Sequence, residues 1–169
     1  SMGPYWWPAP SKPDGLPYIR KDGQRNPELS KLDRNRLGDM AKAVTTLGIA
    51  YYFSGNEQYA RKAADFLKVW FLDAKTKMNP NLNYGQTIPG RRNGLGRGTG
   101  MIDTYCFVEM LDALALLDNS KAMTPAIKKG MKEWFTQFVE WIQTSPVADE
   151  EKAAKNNHGL AYDVQLTAY

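Results

Sequence analysis

Apolar residues recur three and four positions apart along four stretches of the chain, the spacing of one face of an α-helix. They predict helices from Asp33 to about Ser54, over 56–74, over 101–119, and from Pro125 until Pro146 ends the last one. The predicted inward positions, helix by helix, are Leu37, Met40, Val44, Leu47 and Tyr51; Tyr59, Ala63, Phe66, Leu67 and Trp70; Ile102, Cys106, Leu111, Leu114 and Leu117; and Ile127, Met131, Trp134, Phe138 and Ile142. No alternating strand pattern is present.

Capping residues support these helix limits. Gly55 is a typical helix stop, and the short connection around it makes the first two helices antiparallel neighbours. Thr124 followed by Pro125 is a favourable N-cap and first helical residue. Residues 147–156 are predicted to be a polar connection. A new apolar pattern begins at Leu160 and reaches the last residue without a stop signal, so we expect the chain to end inside an element.

The segment 1–32 differs from the rest because it holds six of the ten prolines together with several aromatic residues. Proline disfavours helix, and the aromatic residues favour packing over disorder, so an extended arm packed on the domain is predicted. Residues 33–169 are predicted to be an α/α helical domain, truncated at its C-terminal end. Helical hairpins with loops gathered at one end indicate an all-α fold, an incomplete α/α toroid of which this chain is a part.

Composition excludes some functions. The net charge is +4, with basic residues spread along 169 residues, which is less dense than a nucleic-acid-binding face requires. No apolar run is long enough to span a membrane. The single cysteine, Cys106, lies in a helical pattern and is interpreted as a buried structural thiol. With one histidine and one cysteine, no metal site is predicted, and nothing demands a cofactor.

The only histidine of the chain lies in Asn156-Asn157-His158-Gly159, directly before a predicted helix. Amide side chains and the free N–H groups of a helix N-terminus bind anions. A histidine beside them can transfer a proton near neutral pH. The plainer alternative is that Asn157 only caps the helix and His158 lies on the surface.

The second candidate site is the segment 79–100, here called the arginine loop. Its sequence is Asn79-Pro80-Asn81-Leu82-Asn83-Tyr84-Gly85-Gln86-Thr87-Ile88-Pro89-Gly90-Arg91-Arg92, continuing to Arg97-Gly98-Thr99-Gly100. Arginine side chains bind carboxylates with two parallel hydrogen bonds, and the glycines allow close approach of the backbone or closure as a lid. A loop of this length is typically functional, although an ordinary solvated basic loop is the alternative.

Carboxylates and tryptophans give weaker signals. Asp103, Glu109 and Asp112 lie on the third predicted helix, where a catalytic pair for glycoside hydrolysis is one interpretation and helix-end and solvent positions are the other. Trp70, Trp134 and Trp141 are interpreted as core. Only Trp6 and Trp7 lie outside a helical stripe and remain candidates for stacking on a sugar, with packing against the domain as the favoured alternative.

Several motifs resemble the alginate lyase family of polysaccharide lyases. They are, in order, Pro4-Tyr5-Trp6-Trp7-Pro8, Asp14-Gly15-Leu16-Pro17-Tyr18-Ile19-Arg20, Asn26-Pro27-Glu28, Asn81-Leu82-Asn83-Tyr84-Gly85-Gln86, Gly96-Arg97-Gly98-Thr99-Gly100-Met101-Ile102-Asp103 and Asn156-Asn157-His158-Gly159. The ordered set covers nearly the whole chain. The resemblance implies an incomplete α/α toroid that cleaves alginate or another polyuronate by β-elimination, leaving unsaturated uronate ends.

The resemblance also assigns roles to residues. Asn157 and His158 match the Asn-His pair that engages the uronate carboxylate, and His158 is expected to act also as the base for one C5 epimer. The expected substrate-binding residues are Tyr84, Gln86, Arg91, Arg92 and Arg97. Family members carry a catalytic tyrosine well downstream of the Asn-His motif, a position beyond this chain. The role is therefore given to neither Tyr162 nor Tyr169, and the fragment itself is expected to lack activity.

Two other functions stay open from the sequence alone. One is a glycoside hydrolase on a similar toroid, acting through residues such as Asp103. The other is a non-catalytic domain that binds acidic glycans. The expected partner is in each case a polysaccharide, with no nucleic acid and no membrane, and the oligomeric state is left open. A polymeric substrate implies a periplasmic or secreted location, although the chain carries no signal peptide.

Overall fold

The computed structural model describes residues 1–169, and its regular structure is almost entirely helical. The helices are α1 Asp33–Ser54, α2 Glu57–Leu67, α3 Phe107–Leu117, α4 Pro125–Thr144, α5 Pro146–Lys152 and α6 Asn157–Ala168. α1 packs along both α2 and α3, while α5 lies between α4 and α6. The predicted all-α class is confirmed. None of the helices combines the length and the apolar composition that crossing a membrane requires.

The first helical hairpin follows the predicted helix limits closely, but Tyr59, predicted to face inward, is 39% exposed. α1 spans Asp33–Ser54 and ends where Gly55 takes the left-handed conformation, with φ of 66°, that a residue with a side chain adopts at a cost. Asn56 then caps α2 with its side chain. The second helix was predicted over 56–74. Its α-helical part stops at Leu67 and continues as a π-helical turn, Lys68–Leu72, so it ends two residues before the predicted limit.

The third helix differs in phase from its prediction. The segment Gly98–Thr104 is a 3₁₀ helix, and regular α3 geometry begins only at Phe107. A 3₁₀ helix has three residues per turn rather than 3.6. The inward face predicted from Ile102 at 3.6 residues per turn is therefore rotated relative to the observed inward face of α3. The fully buried residues of α3 are Phe107, Met110, Ala113 and Leu117. Cys106, Leu111 and Leu114 are only half-buried at the edge of the core, as is Ile102 before them.

The fourth helix confirms both its capping prediction and its inward face. Thr124 accepts a hydrogen bond from the Ile127 N–H at 3.4 Å, and all five predicted inward residues are buried. Pro146 ends α4 as predicted, but it also begins another helix. The prediction that 147–156 is only a connection is therefore wrong, because Ser145 caps α5 and Pro146 is its first residue. This capping pair repeats the Thr124-Pro125 arrangement.

Residues 1–32 contain no α-helix. β1, Trp6–Trp7, pairs antiparallel with β2, Ile19–Arg20, and a 3₁₀ turn follows at Pro27–Lys31. This segment is hydrogen-bonded to the arginine loop: the Gly3 N–H donates to the Thr87 carbonyl at 3.0 Å. Two-residue strands are too short to produce an alternating pattern, which explains why the sequence did not predict them.

The core lies between the helices and is rich in aromatic side chains. Phe71, Phe107, Trp134, Phe135 and Phe138 form contacting ring pairs, most of them edge-to-face or tilted. The core interpretation of the helical tryptophans holds, since Trp134 is buried and Trp70 and Trp141 pack against the core. Trp141 also reaches out of the core and donates to Asn83 Oδ1 at 2.8 Å. The core thereby fixes one end of the arginine loop.

Candidate active site

The turn that carries the only histidine is formed by the start of α6. Asn156 is the N-cap, and its Oδ1 accepts the His158 N–H at 2.9 Å. Asn157 is therefore the first helical residue rather than the cap, and its exposed side-chain amide makes no hydrogen bond within the chain. At Gly159 a Cβ would collide with the Ala154 carbonyl oxygen, so the tight approach of α5 to α6 requires glycine there. We call residues 156–159 the α6 turn.

A buried carboxylate contacts the His158 side chain. Its Nδ1 lies 2.6 Å from Oε1 of Glu151, in the last turn of α5. The Glu151 side chain is 2% exposed, whereas that of His158 is 26% exposed. One ring nitrogen is thus engaged inside the protein, while part of the ring remains accessible at the surface.

The arginine loop is tied down by a buried hydrogen-bonded chain. Arg97 donates to Oε1 of Gln86 at 2.7 Å, and Gln86 Nε2 donates to Oδ1 of Asp103 at 2.9 Å. Asp103 also pairs with Arg34 Nε at 2.9 Å and accepts from the Ser1 hydroxyl at 2.6 Å. Gln86 is only 3% exposed. Both ends of its amide are used inside the protein, so it positions Arg97 and has no face open to a ligand.

A second glutamate of α5 fastens the other part of the loop. Glu150 pairs with the Arg92 guanidinium and accepts the Gly98 N–H at 2.9 Å. Burial alone would raise the pKa of Glu150, but these two donors lower it below its ordinary value. A Cβ at Gly98 would lie 2.8 Å from the Glu151 nitrogen, so only glycine lets the loop approach α5 this closely. The neighbouring glutamates thus hold the loop and His158 separately.

Arg91 and Tyr84 have surroundings other than the α6 turn. The Arg91 guanidinium stacks 5.1 Å from the Trp6 ring centroid, and its Nε donates to the Tyr18 carbonyl at 3.1 Å. Tyr84 is 65% exposed. It borders a cavity of about 520 Å³ whose lining includes Lys77 and other polar side chains: Arg34, Arg36, Asn79 and Asn81. This side of the loop presents donors to solvent.

Arg97 lies near Arg20 and Arg92, and these three residues are here called the arginine cluster; the carboxylates of Asp103 and Glu151 lie among them. Burial lowers the pKa of Arg97, and repulsion from Arg20 and then from Arg92 adds to the effect. The charges of Asp103 and Glu151 oppose it by attraction. Because Glu151 also contacts His158, the arginine cluster and the histidine are two neighbours of the same carboxylate. An anionic ligand at the α6 turn would therefore lie near Arg97, whose positive charge Asp103 and Glu151 partly offset.

Other candidates from the sequence have structural positions. Burial raises the pKa of Cys106 to about 11, so this thiol is protonated at neutral pH. Both carboxylate oxygens of Asp103 have partners inside the protein, and Asp112 is exposed. Tyr169 donates its hydroxyl to the Thr104 carbonyl at 2.6 Å, and burial raises its pKa. Tyr162 is 3% exposed. No group of three or more potential ligand side chains is placed to bind a metal ion.

Two polar residues of this region, Glu150 and Glu151, were missed from the sequence. The signal that was available is the Ser145-Pro146 pair, which predicts a helix start over 146–152. A helix there would place both glutamates near the α6 turn. Which of them is buried depends on how α5 packs against the 3₁₀ segment Gly98–Thr104, and local sequence does not encode that contact.

The fold and the site together define a helical toroid protein with a polar, arginine-rich site beside a helix N-terminus. The chain belongs to the alginate lyase family, whose model matches residues 1–169. It is 80% identical to an alginate lyase from Bacteroides ovatus of known crystal structure, with a TM-score of 0.97 over 100% of this chain. The chain spans 44% of that protein's solved chain. None of the curated proteins matches it.

Proposed function

We propose that the protein is a polysaccharide lyase that cleaves alginate or a related polyuronate by β-elimination. Membership of the alginate lyase family and 80% identity to a protein described as an alginate lyase support this proposal. The observation in the geometry that carries it is the α6 turn. There the unpaired Asn157 amide and the partly exposed His158 ring share a helix N-terminus beside the arginine cluster.

The chemical problem of this reaction is the low acidity of the C5 proton of a uronate. A carboxylate anion next to C5 disfavours further negative charge, so that carboxylate has to be neutralised by hydrogen bonds or positive charge. Asn157 would donate to it with its side-chain amide, and the helix N-terminus adds the positive end of its dipole. Arg97 would act in the same direction, with part of its charge offset by Glu151 and Asp103.

Elimination then needs one base and one acid. His158 would take the C5 proton, the C5–H electron pair would form the C4=C5 double bond, and the C4–O bond would break. Its electrons go to the glycosidic oxygen, which takes up a proton from an acidic group or from water. Inside this chain neither Tyr162 nor Tyr169 suits that acid role, because one is buried and the other is bonded to Thr104.

The arginine loop would bind neighbouring sugar units. Tyr84 is exposed and Arg91 lies on the outer surface of the loop, so they suit direct contact with uronate units. Arg92 and Arg97 would contribute mainly positive potential, because a terminal guanidinium nitrogen of each is already bonded inside the protein, whereas Arg91 uses only its Nε in this way. Gln86 would act through Arg97. A polymeric substrate supports a periplasmic or secreted location for the whole protein.

The test is to incubate the whole protein with polymannuronate, polyguluronate and polyglucuronate and to follow the ultraviolet absorbance of unsaturated uronate ends. We expect absorbance to grow with at least one polymer. New reducing ends without that absorbance would indicate hydrolysis. Saturable binding without any new ends would indicate a glycan-binding domain. Either of these two results would overturn the lyase proposal.

A further inference from the structure

We propose that Glu151 is a positioning residue that holds His158 as its Nδ1–H tautomer and so leaves Nε2 as the proton-accepting nitrogen. The proposal rests on the lyase function proposed above, which needs a base at His158. Its direct observation is the 2.6 Å contact between His158 Nδ1 and Glu151 Oε1. The partners are seven positions apart in sequence, and the turn between α5 and α6 brings them together.

The direction of this hydrogen bond follows from the chemistry of its partners. A carboxylate only accepts hydrogen bonds, so the proton between the two atoms belongs to Nδ1. In a neutral imidazole with a proton on Nδ1, the lone pair is on Nε2. The accessible part of the ring then presents a base, whereas the other tautomer would present an N–H donor.

The position of Glu151 suits a supporting role and excludes direct contact with a substrate. Its side chain is 2% exposed, and the neighbouring backbone is fixed by the close approach of Gly98. Glu150 holds the loop on the other side. A carboxylate anchored in this way also stabilises the imidazolium that forms when Nε2 takes the C5 proton, because the Nδ1–H bond then becomes an ion pair.

The proposal gives Asn157 and His158 separate roles. Asn157 and the helix N-terminus would take the substrate carboxylate, and His158 would take the proton. Without Glu151 the ring can rotate, and a neutral imidazole in water prefers the proton on Nε2. The base would then present the wrong nitrogen for part of the time.

The first experiment reads the tautomer without any substrate. The ¹⁵N resonances of the two His158 ring nitrogens are identified in the whole protein as those that are lost in His158→Gln. We expect the wild-type shifts of a neutral ring protonated at Nδ1. Glu151→Gln, which keeps the size of the side chain, should give a mixture because an amide can bond with either tautomer. The matched control Asp149→Asn changes an exposed carboxylate of the same helix and should leave the shifts unaltered.

The second experiment measures kcat and KM of the whole protein for the polyuronate that it cleaves. Because Glu151 acts on the transition state through His158, Glu151→Gln should lower kcat by on the order of 10²-fold, the lower end of what a positioned base supplies, with KM little changed. An Nε2–H ring in the wild type, or an unchanged kcat in Glu151→Gln, would overturn the proposal. Failure of the wild type to form unsaturated ends would instead overturn the lyase function, while the ring shifts would still decide the role of Glu151.

Discussion

The α6 turn and the arginine loop both concentrate polar residues, but they use them differently. In the arginine loop each arginine and Gln86 has an intramolecular partner, so much of the charge there holds the loop in place. In the α6 turn the Asn157 amide has no partner, and His158 has one on a single ring nitrogen. A free donor beside a firmly held ring, as in the α6 turn, is typical of a site that binds and reacts. Donors that are already bonded inside the protein, as in the arginine loop, are typical of the residues that position such a site.

Among the variants that compare the two regions, the largest effect is expected at Asn157. Asn157→Ala removes an exposed amide without an internal contact, so the free energy of unfolding should change by no more than about 0.5 kcal/mol. If the amide stabilises the charge on the uronate, kcat should fall by about 10²–10³-fold, as when one donor to a developing anion is lost. Rates of unsaturated-end formation and urea unfolding curves measure the two quantities. If Asn157→Ala lost unfolding free energy and kept its rate of unsaturated-end formation, the proposed difference between the α6 turn and the arginine loop would be wrong.

The loop should show the opposite behaviour at Gln86. Gln86→Asn keeps a residue that tolerates the observed φ of 49° but is too short to reach both Arg97 and Asp103. Arg97 would lose the Gln86 oxygen, and Asp103 would lose one of its three donors. Losing these hydrogen bonds to charged groups should cost about 1–3 kcal/mol of unfolding free energy. The control Tyr84→Phe, at an exposed neighbour, should stay within about 0.5 kcal/mol. Equal stability of Gln86→Asn and the wild type would show that the buried chain does not hold the loop.

The smallest effect is expected at the pair of Glu150 with Arg92. The folded-state pKa of Glu150 is lowered, so its contribution is present above the unfolded pKa and is lost as the pH falls through the folded pKa. The carboxylate side chain is 44% exposed, and after solvent screening the pair is worth about 1 kcal/mol or less. Glu150→Gln should therefore be slightly less stable than the wild type at pH 7 and equal to it near pH 2. A stability difference that does not shrink on acidification would contradict this account.

Sequence reasoning predicted the parts of the fold that local spacing encodes. α1 and α4 have regular stripes with a clear stop or cap, Gly55 and Thr124, and their limits were found. The phase of α3 was missed because a 3₁₀ segment precedes it. α5 was missed because seven residues, four of them charged, carry little hydrophobic periodicity, although Ser145-Pro146 signals a helix start.

The candidate site was predictable as a set of residues but not as an arrangement. The motif around His158 can be read from the sequence, yet its partner Glu151 depends on the packing of one helix end against another. Gln86 was expected to contact substrate, and its burial depends on Asp103 and Arg97. These contacts join separate segments, and the local pattern along a chain does not specify them. The assignment of the substrate-binding residues stays a prediction.

The central claim is that the α6 turn carries out an elimination, with His158 as its base. The most direct measurement compares unsaturated-end formation by the whole protein and by His158→Ala, on the polyuronate that the wild type cleaves, with matched circular dichroism spectra. The account predicts that the rate falls by about 10²–10⁴-fold, the contribution of a general base, while the variant stays folded and still binds the polymer. A folded His158→Ala protein that forms unsaturated ends at the wild-type rate would contradict it.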